Sequence, residues 1–191
     1  MDCNNGLSGG ILHDCINTPV KGLDGSRAVI INYSDIDRLS STVNGATITD
    51  LVVNGTGYVV EWYRELGSTS STYNLNNDDY DGFGHTFSAR FSVPSAEASE
   101  RLSELKSGRF VVVVETNYKG ADNKDAFKVY GWNSGLTLST SDVNSNENSH
   151  SIVFSLSTSD GYVEQYGYNI FFEANDYATS KATFDTLFVN A

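Results

Sequence analysis

Cations are scarce in this chain. Lys and Arg number 12 against 24 Asp and Glu, for a formal net charge of −12. Such an acidic surface repels phosphate backbones, so sequence-specific DNA reading and docking on anionic lipid are disfavoured. Proline occurs twice and methionine once. Long apolar runs are lacking, and none approaches the roughly 20 residues a membrane helix needs. The opening MDCNNGLSGG has neither a basic region nor an apolar stretch, so no secretory signal is expected.

Cysteine and histidine are as sparse. Cys3 and Cys15 are the two thiols, and His13, His85 and His150 lie far apart in sequence. A cluster of Cys3, His13 and Cys15 lacks the close spacing of a zinc site, which also wants four ligands, and we read no metal there. A Cys3–Cys15 disulfide would close a short loop. Without a secretion signal the expectation is free thiols in a reducing cytoplasm, with oxidation open if the protein later leaves the cell in a particle.

Apolar material is sufficient for a core. Hydrophobic residues are 39% and aromatics 12% of 191 residues, which suits one ordinary domain or two small ones. With 18 Asn and 24 Ser, turn chemistry is abundant, as expected for short strands joined by polar connections.

Residues 1–26 are rich in Gly and Asn without periodicity and read as an extended arm. Residues 27–32 (RAVIIN) read as a buried strand. Residues 46–53 (ATITDLVV) follow Asn44-Gly45, and 58–63 (YVVEWY) follow Asn54-Gly55. Asn-Gly between β-branched runs signals a hairpin, so an antiparallel meander is expected. Residues 67–85 (GSTSSTYNLNNDDYDGFGH) hold few aliphatics. They read as a long polar connection or a hairpin arm projecting from the body.

Residues 86–93 alternate, with Phe87, Ala89, Phe91 and Val93 on one side. Pro94 stops that strand and Ser95 is a candidate N-cap. Glu97 favours the first turn, and Ala98, Leu102 and Leu105 share one face, with Gly108 just past the end. This predicts a helix over 96–107. Residues 109–116 (RFVVVVET) read as a central strand buried on both faces. Further strands are expected at 126–132, 136–141 and 149–157, and a last one at 183–189 (TFDTLFV).

No motif composes an active site. Asn77-x-Asp79-x-Asp81-Gly82 resembles the first half of a calcium loop, but Ser88 stands where the closing Glu belongs. We read it as a solvated acidic tip. The triplets Asn32-Tyr33-Ser34 and Asn54-Gly55-Thr56 match the glycosylation pattern but are read as chance. Gly55-Thr56-Gly57 lacks the third glycine and the following helix of a dinucleotide site. Asp35 and Asp37 read as solvated acids at a strand end. Trp62, Tyr63, Tyr130 and Trp132 could line a sugar-binding face, but their alternation suits core or interface positions.

The order of features carries a resemblance. Cys3 and Cys15 come first, then Gly22 before a short apolar strand ending in Asn32-Tyr33. A meander, a Ser/Thr-rich arm, an alternating aromatic strand, one helix and a Val-rich strand closing in Glu115-Thr116 follow. Tyr130-Gly131, Gly135-Leu136-Thr137-Leu138 and Ile152-Val153-Phe154 complete the series. This layout resembles the tail-tube-like virion proteins of phages that infect Bacteroidetes, including the ring or collar proteins of crAss-like phages. The likeness spans nearly the whole chain, although it assigns no role to residues 158–191.

The resemblance implies a mainly β, α+β fold: an antiparallel β-sandwich or half-barrel with one helix at its side. It implies an arm over 1–26 and a single domain over 27–191. Such subunits form a homo-oligomeric ring whose inner wall is a continuous β-barrel, and their arms lock onto the next ring. They are not enzymes and need no cofactor or metal. The expected partners are further copies, other tail, collar or portal-associated proteins, and DNA passing without specific binding. No membrane is involved. The expected location is the virion, assembled in the host cytoplasm. Ring contacts are expected through Cys3, Tyr73, Asn77, Asp79, Tyr80, Asp81 and Phe83. Removal of residues 68–84 is expected to leave a folded subunit that does not assemble. The alternative is a carbohydrate-binding β-sandwich module with Trp62 or Trp132 on an exposed platform. A hydrolase ranks last, because no nucleophile–base set is evident.

Overall fold

The computed structural model describes residues 7, 9–11, 16, 20–62, 66–74, 81–91, 94–146 and 151–186. The β-branched and aromatic runs form eleven strands. The first six are β1 (Leu23–Asn32), β2 (Thr42–Asn44), β3 (Thr47–Asp50), β4 (Tyr58–Glu61), β5 (Ser68–Asn74) and β6 (Gly82–Phe91). Helix α1 (Ala96–Leu105) precedes β7 (Phe110–Thr116), β8 (Phe127–Tyr130), β9 (Leu136–Val143), β10 (Ile152–Thr158) and β11 (Asn169–Phe171), and helix α2 (Tyr177–Thr186) follows.

The strands make one hydrogen-bonded sheet in two halves. One half runs β2-β3-β11-β8-β7-β1-β4, and the other runs β9-β10-β6-β5. A single pair, Phe110 with Leu136, joins them beside the turn between β8 and β9. The sheet bends there and the halves close over one another. Ala28, Ile30, Val112 and Val114 from the first half share an apolar core with Phe87, Ala89, Phe154 and Leu156 from the second. Trp62 meets Phe87 across that core, with ring centroids 5.9 Å apart.

Strand period explains the four consecutive valines. Successive side chains of a strand point to opposite faces. Val112 and Val114 enter the core between the halves, whereas Val111 and Val113 enter a second core on the outer face. β1 does the same, with Val29 and Ile31 facing out. The outer core also holds Ile48, Leu51, Phe127, Val129 and Phe171, and Phe184 of α2 covers it. Each such side chain contributes about 1.5–3 kcal/mol when fully buried. β7 is therefore a middle layer with no face left for water.

Helix α1 forms where expected. The Ser95 hydroxyl accepts the Ala98 amide at 3.1 Å and caps it. Leu102 and Leu105 are half-buried against the core between the halves.

Several expectations are corrected. A second helix, α2, occupies part of the segment read as a terminal strand. Asp176 starts it by accepting both the amide and the hydroxyl of Thr179 at 2.7 Å. Ser180 and Phe184, one turn apart, are its buried residues. Residues 187–189 lie outside the described residues.

The meander is replaced by a more interleaved order. Asn44-Gly45 does join β2 to β3, with Gly45 at φ 60°. Asn54-Gly55 does not make a hairpin, because β4 pairs with β1 while β3 lies between β2 and β11. Asp35 reclaims that turn: its carbonyl accepts the Asn54 amide at 2.7 Å, and a Cβ on Gly55 would lie 2.7 Å from its carboxylate. The β3–β11 pair is parallel, so the sheet is not wholly antiparallel.

The segment 67–85 takes the hairpin form among its described residues. Its strands extend the sheet through Ser68 opposite Ser88 and Asn74 opposite Gly82, and Phe83 also pairs with Glu164. β1 begins at Leu23, inside the span read as an arm, with a bulge before Ala28.

Candidate functional site

β5 is the outermost strand of its half. It pairs with β6, and among the described residues no strand pairs with its other side. Its sequence STSSTYN contains no Lys and no Pro, the residues that usually blunt an edge. Every residue but Thr69 is exposed; the Thr69 hydroxyl donates to that of Tyr130 at 3.0 Å. Tyr73 is 54% exposed and meets the Phe83 ring edge-on at 5.6 Å. Asp81 is exposed just before β6. The structure thus brings Tyr73 and Phe83 together with Asp81 nearby in sequence. Cys3, Asn77, Asp79 and Tyr80 lie outside the described residues, as do Cys15, His13, His150 and most of the calcium-like pattern.

Behind this edge lies a polar cluster that sequence reading missed. Segment 159–168 crosses the start of β6 as a strap. The Phe83 amide donates to the Glu164 carbonyl at 2.9 Å, and the Glu164 amide returns the bond at 2.9 Å. Gly82 makes this approach possible, since a Cβ there would sit 2.6 Å from Val163. The Glu164 side chain is 1% exposed. Its carboxylate accepts the amides of Asn133 and Ser134 at 2.8 Å each and the Ser134 hydroxyl at 2.6 Å. It therefore caps the turn that joins the two halves.

His85 is buried beside it. Its Nδ1 accepts the Gly131 amide at 3.1 Å, and its Nε2 lies 2.9 Å from the Tyr166 carbonyl. These partners place the proton of the neutral ring on Nε2. The ring stands edge-on to Tyr130 at 5.3 Å. Burial pushes the imidazole pKa down, and the Glu164 charge only partly opposes this. Burial also raises the Tyr130 phenol above its ordinary value.

Arginines secure the other side of the turn. Arg38 lies over Tyr33 at 3.9 Å and donates to the carbonyls of Tyr33 and Trp132. Arg109 lies 4.7 Å from the same ring and donates to the Ser134 carbonyl. Desolvation lowers the Arg38 pKa somewhat, although the guanidinium stays charged.

A second ionic group docks α2. Glu115, nearly buried on β7, receives Lys119 at 2.6 Å, Lys181 at 3.6 Å and the Tyr177 hydroxyl at 2.8 Å. Lys119 also meets Asp24 at 2.9 Å, and Arg27 and Lys181 both reach Asp185. Burial disfavours the Lys119 charge, yet Asp24, Glu115 and Tyr177 together hold its pKa above the usual lysine value.

Trp62 and Trp132 are 6% and 7% exposed, and Tyr130 is buried with them. They are core residues, so the exposed Trp platform of the carbohydrate-binding alternative is not formed by them. Tyr63 lies outside the described residues. Among the described residues, no group of three or more His, Cys, Asp or Glu is placed to hold a metal ion. None of the described helices is long and apolar enough to cross a membrane. Comparison with protein-family models, curated proteins and solved structures finds no match to the chain.

Proposed function

We propose that this chain is a structural virion subunit. Copies join into a ring of a phage tail or collar that lines or supports the DNA-ejection channel. The observation that carries the reading is the edge of β5: seven residues without Lys or Pro, paired among the described residues with β6 alone. Such an edge is a template for strand addition by another chain. At the opposite border of the same half, β9 pairs only with β10 from Ser139 onward among the described residues, and it is exposed there. Pairing β5 of one copy with β9 of the next is a heterologous contact, and such contacts generate rings when the rotation closes. The net charge of −12 suits a channel wall that DNA passes without sticking.

Light scattering with negative-stain imaging across protein concentration tests the reading. Rings or tubes are expected from the native chain, and a subunit of unchanged fold that stays monomeric is expected from Thr72→Lys. This variant is cleaner than removing residues 68–84, which also takes away the Phe83–Glu164 pairing. Normal assembly by Thr72→Lys would count against β5 as the joining edge. A native chain that stays monomeric at every concentration, and also in the presence of portal rings, would refute the ring.

A further inference from the structure

We propose that His85 and Glu164 form an acid-sensitive latch: at neutral pH they pin the 159–168 strap across the start of β6, and acidification lets it open. Ser159, Tyr162 and Tyr168 of the strap touch Thr137, Arg109 and Lys128, and its central holds converge on the start of β6. Its backbone pairs with Phe83, its Glu164 carboxylate grips the turn at Asn133 and Ser134, and its Tyr166 carbonyl receives His85.

His85 is the one group in this set whose hydrogen bonds depend on being neutral. Nδ1 must present a lone pair to the Gly131 amide. Adding a proton there sets one N–H against another and breaks that bond. It also places a cation in a site 0% exposed to solvent. The ionisable groups that bear on the ring are Glu164 on the strap and Tyr130 on β8. Thr158 of β10, which receives the His85 amide, and Ser71 of β5, which lies opposite, carry no charge. Glu164 and the backbone hydrogen bonds at Tyr166 and Gly167 favour the imidazolium, but burial outweighs them, and the Glu164 oxygens are already committed to three donors of the turn.

In the open strap the imidazole returns to water, with a pKa of about 6.5. The closed form binds fewer protons than the open form below that pH. Closing is thus fully favoured above about pH 6.5. It weakens by up to about tenfold per pH unit below it, until the folded pKa is reached. The same geometry that hides the histidine therefore sets the direction of the switch.

Amide hydrogen exchange on the native chain between pH 7.5 and 5.0, corrected for intrinsic rates, tests the latch. Protection of Phe83, Gly131 and Glu164 should fall by up to about tenfold per pH unit below pH 6.5, while Val111–Val114 change far less. In His85→Gln, which can hydrogen-bond but does not titrate in this range, the pH dependence at those three amides should vanish. A flat profile in the native chain, or an unchanged slope in His85→Gln, would overturn the latch. If the variant does not fold, nitrogen NMR of the native histidines decides. A His85 ring that stays neutral and Nε2-protonated below pH 6.5 supports the latch, and one already charged at pH 7 in the closed form refutes it. Both measurements need only the subunit, so their outcome is separate from that of the ring.

Discussion

Glu164 shows what one residue can carry. Its carboxylate satisfies two backbone amides and a hydroxyl in the turn that joins the sheet halves. Truncating it leaves buried donors unpaired, at about 1–3 kcal/mol for each. Glu164→Ala is therefore expected to lower stability by at least about 3 kcal/mol in urea unfolding. Val113→Ala, which opens a space in the outer core, should cost about 2 kcal/mol by the same measurement. The valine position was legible, because four consecutive apolar residues in a short run imply two buried faces. Glu164 was not. A glutamate in GYVEQYGY looks solvated until the turn at Asn133 and Ser134, some thirty residues away, is brought against it. His85 was hidden for the same reason: its partners come from Gly131 and Tyr166.

At the scale of elements, α1 and α2 make a contrast. α1 was readable from local signals, namely Ser95 at the cap and Leu102 and Leu105 on one face. α2 has a local cap in Asp176, yet only Phe184 anchors it as a large apolar residue, and its Thr and Phe content favours a strand. Tertiary docking decides it. Phe184→Ala should cost about 3–5 kcal/mol and expose α2 amides to exchange, whereas Asp176→Ala should cost about 1 kcal/mol. The ionic group under α2 adds a pH dependence with a definite sign. Hydrogen bonding to Lys119 holds the Asp24 carboxyl below its ordinary 3.8. Its contribution is therefore present above that value and is lost as the pH falls through the folded pKa. Acid titration of native and Asp24→Asn chains should show a steeper loss of stability below pH 4 in the native one.

For the whole molecule, the middle layer of β1 and β7 ties two cores together, while among the described residues no further strand pairs with the outer side of β5 or, from Ser139 onward, of β9. A single unfolding transition is expected for the native subunit, with Val113→Ala shifting its midpoint and not splitting it. Sequence alone determined most of the longer strands, where α1 begins, that β7 is buried on both faces, and the acidic balance. Those properties depend on side-chain period, caps and charge, which act over a few residues. Only the tertiary structure decided that β4 pairs with β1, that Asp35 takes over the Asn54-Gly55 turn, that the tail forms α2, and that His85 and Glu164 meet behind the hairpin. Each of these rests on a contact between residues far apart in the chain, where the energy lies in burial and in partners that no local pattern reveals.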